Sequence, residues 1–180
     1  METFNNFFEN PAWVHEFEIL YEDISEPLKE YWVNGDGSLT LLNEPTLLGV
    51  RRNGKWGWVN TKKEFVIPPE YDSGWVLCYN GIIIMQKNGY FGGLYRSTLA
   101  TAFGFKYSYL SCFYNQTFLA HDKNNMQALV KPGEIFLTRF KYLGFLEFKK
   151  RKDIATYERL DFWGRKKTGI IHVETGSELS

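Results

Sequence analysis

Asn53-Gly54-Lys55-Trp56-Gly57-Trp58-Val59 is the stretch on which the reading of this chain turns. Asn-Gly suits the centre of a two-residue type I′ turn, because both positions need positive φ. The run before it, Leu48-Gly49-Val50-Arg51-Arg52, can therefore pair back on Lys55-Trp56-Gly57-Trp58-Val59 as a hairpin. The same signals return 35 positions later in Asn88-Gly89-Tyr90-Phe91-Gly92-Gly93-Leu94, which predicts a second hairpin turning at Asn88-Gly89. Fainter echoes follow in Asn124-Asn125-Met126-Gln127-Ala128-Leu129-Val130 and Arg165-Lys166-Lys167-Thr168-Gly169-Ile170-Ile171.

A second landmark keeps the same period. Tyr71, Tyr107 and Tyr142 each follow a segment rich in β-branched or aromatic residues. The first such segment, Glu64-Phe65-Val66-Ile67, reads as a third strand that ends at Pro68-Pro69, since proline cannot donate to a ladder. One unit is then a three-stranded meander of about 35 residues, too small to bury its own apolar face, so units must stack. The expected fold is all-β: three to four degenerate β-meander repeats in one domain. The fixed phase of Trp56, Trp58 and Tyr71 puts them in the core and not in a ligand site.

Gly54-Lys55-Trp56-Gly57, then Phe65-Val66-Ile67-Pro68-Pro69-Glu70-Tyr71-Asp72, resembles the bacterial WG-repeat family. The resemblance is specific over one unit, recognisable in the second and faint afterwards. It implies a β-repeat scaffold that binds other macromolecules, without established catalytic residues. Some members look like parts of toxin–immunity systems.

Aromatic residues make up 18% of the chain, which favours strands. The net charge is zero but unevenly placed. Residues 1–46 hold ten acids and one base, and the remainder carries the compensating +9. Residues 1–46 are expected to form an acidic cap or insertion, and 47–180 the repeat region of the same folding unit. Tyr21-Glu22-Asp23-Ile24 is a further tyrosine landmark, separated from the first repeat by an insertion or long loop around Gly35 to Pro45. Helix and strand patterns compete over 11–24, so the cap can be helical in part. Trp13, Phe17, Leu20 and Ile24 have helical spacing, whereas Phe17, Ile19 and Tyr21 alternate with Glu16, Glu18 and Glu22.

Nothing in the sequence marks a reaction centre. His15, His121 and His172 are scattered, and none has a metal-ligand partner at short spacing. Cys78 lies in an apolar run that suits an inert thiol, and both Cys78 and Cys112 are expected to be free. No phosphate-binding loop or nucleophile elbow occurs. No catalytic residue, metal or cofactor is therefore assigned. The opening residues lack the pattern of a signal peptide and no apolar run reaches membrane-spanning length, so the cytoplasm and a non-membrane partner are expected.

The expected role is macromolecule binding, in its sharpest form an immunity protein that neutralises a cognate toxin. Glu16, Glu22, Asp23, Glu26 and Glu30 would steer a basic toxin domain, with Tyr31 or Trp32 as anchor. Pairing of these acids with Lys149 to Lys152 inside the chain is the equal alternative. A basic patch of Lys149, Lys150, Arg151, Lys152, Arg165, Lys166 and Lys167 beside aromatic rings leaves a nucleic-acid binder open, and the scattered histidines leave open an enzyme whose site is assembled in space from distant residues.

Overall fold

The computed structural model describes residues 21–33, 39–43, 46–73, 77–148 and 153–179. All regular structure among them is β. In chain order the strands are β1 (Asp23–Pro27), β2 (Glu30–Val33), β3 (Leu39–Asn43), β4 (Leu48–Arg52), β5 (Lys55–Val59), β6 (Phe65–Tyr71), β7 (Leu77–Tyr79), β8 (Ile82–Lys87) and β9 (Tyr90–Tyr95). There follow β10 (Thr101–Tyr107), β11 (Tyr109–Tyr114), β12 (Thr117–His121), β13 (Gln127–Lys131), β14 (Ile135–Phe136), β15 (Tyr142–Phe148), β16 (Ile154–Leu160), β17 (Lys166–His172) and β18 (Glu178–Leu179).

The strands form three antiparallel sheets with one parallel pairing. The first has the order β1-β4-β5-β6; the second, β10-β9-β8-β7-β2-β3; the third runs from β11 through β12, β13, β15, β16 and β17 to β18, with β14 also on β13. The expected hairpins are present. Asn53 and Gly54 have φ of 53° and 74°, and Asn88 and Gly89 have 54° and 80°, as a type I′ turn requires. Asn80-Gly81 makes another turn of this kind, between β7 and β8. The fainter third echo, Asn124-Asn125, lies in a longer loop closed by Asp122, whose carboxylate accepts from the N–H groups of Asn124 and Met126.

Two details differ from the sequence reading. A fourth strand is added beside the hairpins that follow three of the tyrosine landmarks: β7 pairs with β8 and β11 with β12, while β1 pairs with β4 across the intervening β2–β3 hairpin. The strand expected to stop at Pro68-Pro69 instead continues to Tyr71. It is the edge of its sheet, and an edge strand tolerates proline where no partner needs its N–H. The prolines also sit in a bulge. Trp56 pairs with Tyr71 and Trp58 with Ile67, so a two-residue step on β5 faces a four-residue step on β6. The second sheet repeats this register, with Phe91 on Tyr107 and Gly93 on Phe103. The third keeps Gln127 on Tyr142.

The bulge explains the glycine that follows the aromatic. A Cβ on Gly57 would lie 2.7 Å from the Ile67 carbonyl oxygen and from Pro69 N. At Gly92 it would lie 2.7 Å from the Phe105 ring and 3.0 Å from the Phe103 carbonyl oxygen. Ala128 stands at the matching place in the third sheet, and there the facing chain is broken into β14 and β15.

The region taken as an acidic cap is woven into two sheets. β1 belongs to the first, and the β2–β3 hairpin extends the second by pairing in parallel with β7. Part of the expected insertion is thus strand β3. No helix occurs among the described residues; residues 11–20 lie outside them, and 23–27 are strand.

The sheets stack face to face. On β8, Ile83 and Met85 face Trp58, Ile67 and Tyr71 of the first sheet, while Ile82 and Ile84 face Leu110, Phe118 and Val130 of the third. Period-two alternation with apolar residues on both faces is what a central sheet needs. A further cluster around Leu129, Tyr142, Tyr157 and Ile171 fills the third sheet's other side. Trp58 and Tyr71 are core residues as expected, with rings 5.8 Å apart. Trp56 is only half-buried, because it flanks that cluster. Cys78 and Cys112 are free and lie on strands of different sheets.

Trp58→Ala is expected to cost about 3–5 kcal/mol, the range for a fully buried large side chain, and Trp56→Ala clearly less. Urea unfolding of both variants checks the order; equal losses would refute it. Gly57→Ala should cost about 1–3 kcal/mol from overpacking, and more than Gly92→Ala, because it strikes backbone where Gly92 mainly meets a ring that can move.

Candidate functional site

Charged groups here hold hairpin turns and strands together, within a sheet at Glu22, Asp161 and Glu178 and between sheets at Glu70, Asp72 and Glu134. In the αL–αL turns the N–H groups of Asn and Gly point away from the hairpin and need an acceptor. Glu22 supplies one: its two carboxylate oxygens accept from Asn53 N at 2.8 Å and Gly54 N at 3.2 Å. Asp72 does the same for Gly89 N at 2.7 Å and also takes Lys55 Nζ at 2.6 Å. Each acid directly follows a tyrosine landmark. Their own N–H groups donate to equivalent carbonyls, Glu22 to Arg51 and Asp72 to Gln86, and Ser108 repeats the bond to His121.

The landmark tyrosines are clamped by opposite charges. Lys87 lies over the Tyr71 ring and pairs with Glu70 at 2.8 Å. Lys106 and Lys141 lie over Tyr107 and Tyr142 and pair with Glu134 and Glu178, which also accept the tyrosine hydroxyls. Glu178 takes Tyr157 and Arg159 as well, fixing β18 to the third sheet. Its carboxyl falls from the ordinary 4.5 to about 2: burial opposes ionisation, but hydrogen bonds from Lys141, Tyr157 and Tyr142 outweigh it. Burial, then Glu70, pushes the Tyr71 phenol up to about 12. Burial holds the Cys78 and Cys112 thiols near 12, far from nucleophilic use at neutral pH.

The expected acidic contact region is only partly visible. Glu22 holds the Asn53-Gly54 turn and lies 3.9 Å from Arg51. Asp23 accepts from the N–H of Ile24. Glu30 is half-buried on β2 beside Cys78, and Tyr31 is half-buried against Tyr79, with ring centroids 6.3 Å apart. Glu16 and the side chains of Glu26 and Trp32 lie outside the described residues.

Lys149, Lys150, Arg151 and Lys152 precede β16 and lie outside the described residues, whereas Arg165, Lys166 and Lys167 lie where β17 begins, across the turn from the far end of β16. Arg165 is engaged by Asp161 at 3.1 Å, and Lys166 stands 3.7 Å from Glu158.

The turn between β16 and β17 presents a feature the sequence reading treated only as a neighbour of those bases. Phe162 is 92% exposed and Trp163 75%, their rings edge to face at 5.2 Å. The turn is locked from inside. Asp161 Oδ1 accepts from Trp163 N at 2.8 Å and Arg165 N at 2.9 Å, and Gly164 supplies the positive φ. The spacing Asp161-Phe162-Trp163-Gly164 was the available signal: an Asx-type turn holds its two central side chains outward. Leu160 adds exposed apolar surface beside the turn, and Ile170 and Leu179 are exposed further along β17 and β18.

Two open grooves follow the seams between sheets. One of about 390 Å³ runs past Tyr71 and Lys87, and one of about 430 Å³ past Tyr90, Phe105, Tyr107 and Phe140. Lys87, Lys106 and Asp122 in these grooves are already engaged within the chain. Among the described residues, no group of three or more His, Cys, Asp or Glu is placed to hold a metal, and no helix is long and apolar enough to cross a membrane.

The model of the WG containing repeat matches residues 56–91, so that assignment holds over part of the chain, from the β5 tryptophans to Phe91. No curated protein matches the chain. Among solved structures, the N-terminal domain of Nup159 is similar at 10% identity and a TM-score of 0.40, over 85% of this chain and 43% of that one. Kluyveromyces lactis Hsv2 is similar at 12% identity and a TM-score of 0.36, over 87% of this chain and 62% of that one. The chain thus spans less than two thirds of either, and both likenesses are too loose to assign it an arrangement or a role.

The carboxylate locks set a pH dependence. Glu178 falls to about 2, and Asp72 and Glu134 are also lowered. Asp72 is lowered chiefly by Lys55, while Glu134 is lowered by Lys106 and Gly104 N against its burial. A folded value below the unfolded one gives stability that is present above the unfolded value and lost as pH falls through the folded one. The Tm should therefore drop as pH falls from the ordinary carboxylate range towards 2, and Glu178→Gln should lower Tm at neutral pH and flatten that drop. An unchanged slope in the variant would remove Glu178 from this account.

Proposed function

We propose that this chain is a non-catalytic binding module that grips a protein partner through the β16–β17 hairpin. One observation carries the reading: Phe162 and Trp163 are held in water by a turn rigid enough to keep them there. Small-molecule sites are concave, and this is a convex tip that must enter a concavity on something else. Tryptophan is enriched among the few residues that hold protein interfaces together, and charged neighbours form the rim. The local pairing of Arg165 and Lys166 favours a protein over a polyanion.

In its finer form the proposal makes the chain a cytoplasmic immunity protein built from three to four degenerate units of about 35 residues. Recurrence of the Trp56–Tyr71 register at Phe91–Tyr107 and Gln127–Tyr142 supports the repeats. The immunity role rests on the family resemblance. The acids around Glu16 to Glu30, with Tyr31 or Trp32, would then steer a basic toxin domain to a second face of the molecule.

Affinity capture with the wild-type chain and with Phe162→Ala/Trp163→Ala tests the hairpin. Surface truncation should leave stability within about 0.5 kcal/mol. Loss of an anchor worth about 2 kcal/mol should weaken retention of the partner roughly 30-fold. Retention unchanged by the double substitution would sink the hairpin as the interface. Retention abolished by nuclease would shift the reading to nucleic acid.

A further inference from the structure

The two seam grooves differ in how their charge is settled. At the first seam Glu70 stands directly before the landmark Tyr71 and pairs with Lys87 at 2.8 Å, and both line the groove. At the second seam the residue before Tyr107 is Lys106, and its carboxylate comes from Glu134, on the turn ahead of β14. Lys123 follows Lys87 by 36 positions, as Tyr107 follows Tyr71, and it lines this second groove. Asp122 beside it is turned onto the N–H groups of Asn124 and Met126. Among the described residues no ion pair or hydrogen bond reaches Lys123. The walls are rings. Tyr90 is 47% exposed, Phe105 and Phe140 are half-buried, and exposed Phe136 continues the surface from Phe140, with ring centroids 5.6 Å apart.

We infer that the second-seam groove binds an extended, proline-containing acidic segment of a partner protein, whose carboxylate takes at Lys123 the place that Glu70 holds at Lys87. The backbone beside the groove disfavours an added β-strand. β10 is the edge of its sheet, but Gly104 N already donates to Glu134 Oε1 at 2.9 Å and the Ala102 carbonyl accepts from Gly133 N at 2.9 Å. A polyproline II segment needs no ladder: its backbone stays in water and its pyrrolidine rings pack on aromatic walls. Lys106 and Lys123 repel a cation from the same rings. One unmatched lysine beside Asp122 does not suit a phosphate backbone, which calls for a row of cations. The groove shares no residue with the β16–β17 hairpin, and the inference does not rest on that hairpin.

Selection of a random-peptide display library on the full chain tests this. Enriched peptides should carry proline beside Asp or Glu. A fluorescein-labelled synthetic copy of the most enriched one is then titrated by fluorescence anisotropy. Lys123→Glu should weaken its binding at least about tenfold, the scale of one charge-assisted hydrogen bond. Tyr90→Ala should also weaken it, and Trp163→Ala should leave it unchanged. These side chains are exposed, and the Tm of each variant confirms that it folds. Changing the peptide's acid to the amide should weaken binding to the wild-type chain and make no difference to Lys123→Glu. A library that yields no acidic, proline-containing peptide would overturn the inference, as would a Kd indifferent to Lys123→Glu. Loss of binding on Trp163→Ala would overturn it in favour of the hairpin, and displacement of the peptide by oligothymidylate in favour of nucleic acid.

Discussion

The hold of the acid after a landmark tyrosine on a hairpin turn far along the chain governs how this protein is assembled. A type I′ turn leaves two N–H groups without a partner in the hairpin. Glu22 and Asp72, each placed directly after a tyrosine, supply the missing acceptors. The bond is charge-assisted, and so stronger than a neutral one. It lies just ahead of the strands that pair with those hairpins, β1 on β4 and β7 on β8.

That contact sets the packing. Once the turn is held, sheet faces meet at a fixed register, and the tyrosine is carried into the seam. A lysine covers its ring and a glutamate pairs with that lysine: Glu70 precedes Tyr71, whereas Lys106 and Lys141 precede Tyr107 and Tyr142, the last of these contacts lying within the third sheet. The opposite bulge presses on Gly57 and Gly92, so the glycine of the motif is a steric requirement of neighbouring backbone and side chains, not a turn residue. Where alanine stands instead, at 128, the facing strand is split. The loss of the glycine from the sequence pattern therefore has a geometric counterpart.

Charge used in this way is not available for partners. Among the described residues Glu22, Asp72, Glu134, Asp161 and Glu178 serve internal backbone or side-chain groups. The exposed aromatic pair at 162–163 has no such internal use. In the proposed role the hairpin is fixed from within, so little ordering would be left to oppose binding.

Local geometry was legible in the order of the residues: the Asn-Gly turns, the period shared by Trp56 with Phe91 and by Tyr71 with Tyr107, the burial of Trp58 and Tyr71, and the free, buried Cys78. These follow from φ preferences and alternation, which act over a few residues. Long-range packing settled which strand Glu22 would touch 31 residues away, that Pro68-Pro69 would lie on an edge, and that β2 would join the second sheet in parallel. It also settled that Phe162 and Trp163 would stand outside while chemically similar rings went inside. Composition ranks a ring's tendency to be buried, but whether a neighbouring sheet is there to bury it depends on contacts made far along the chain.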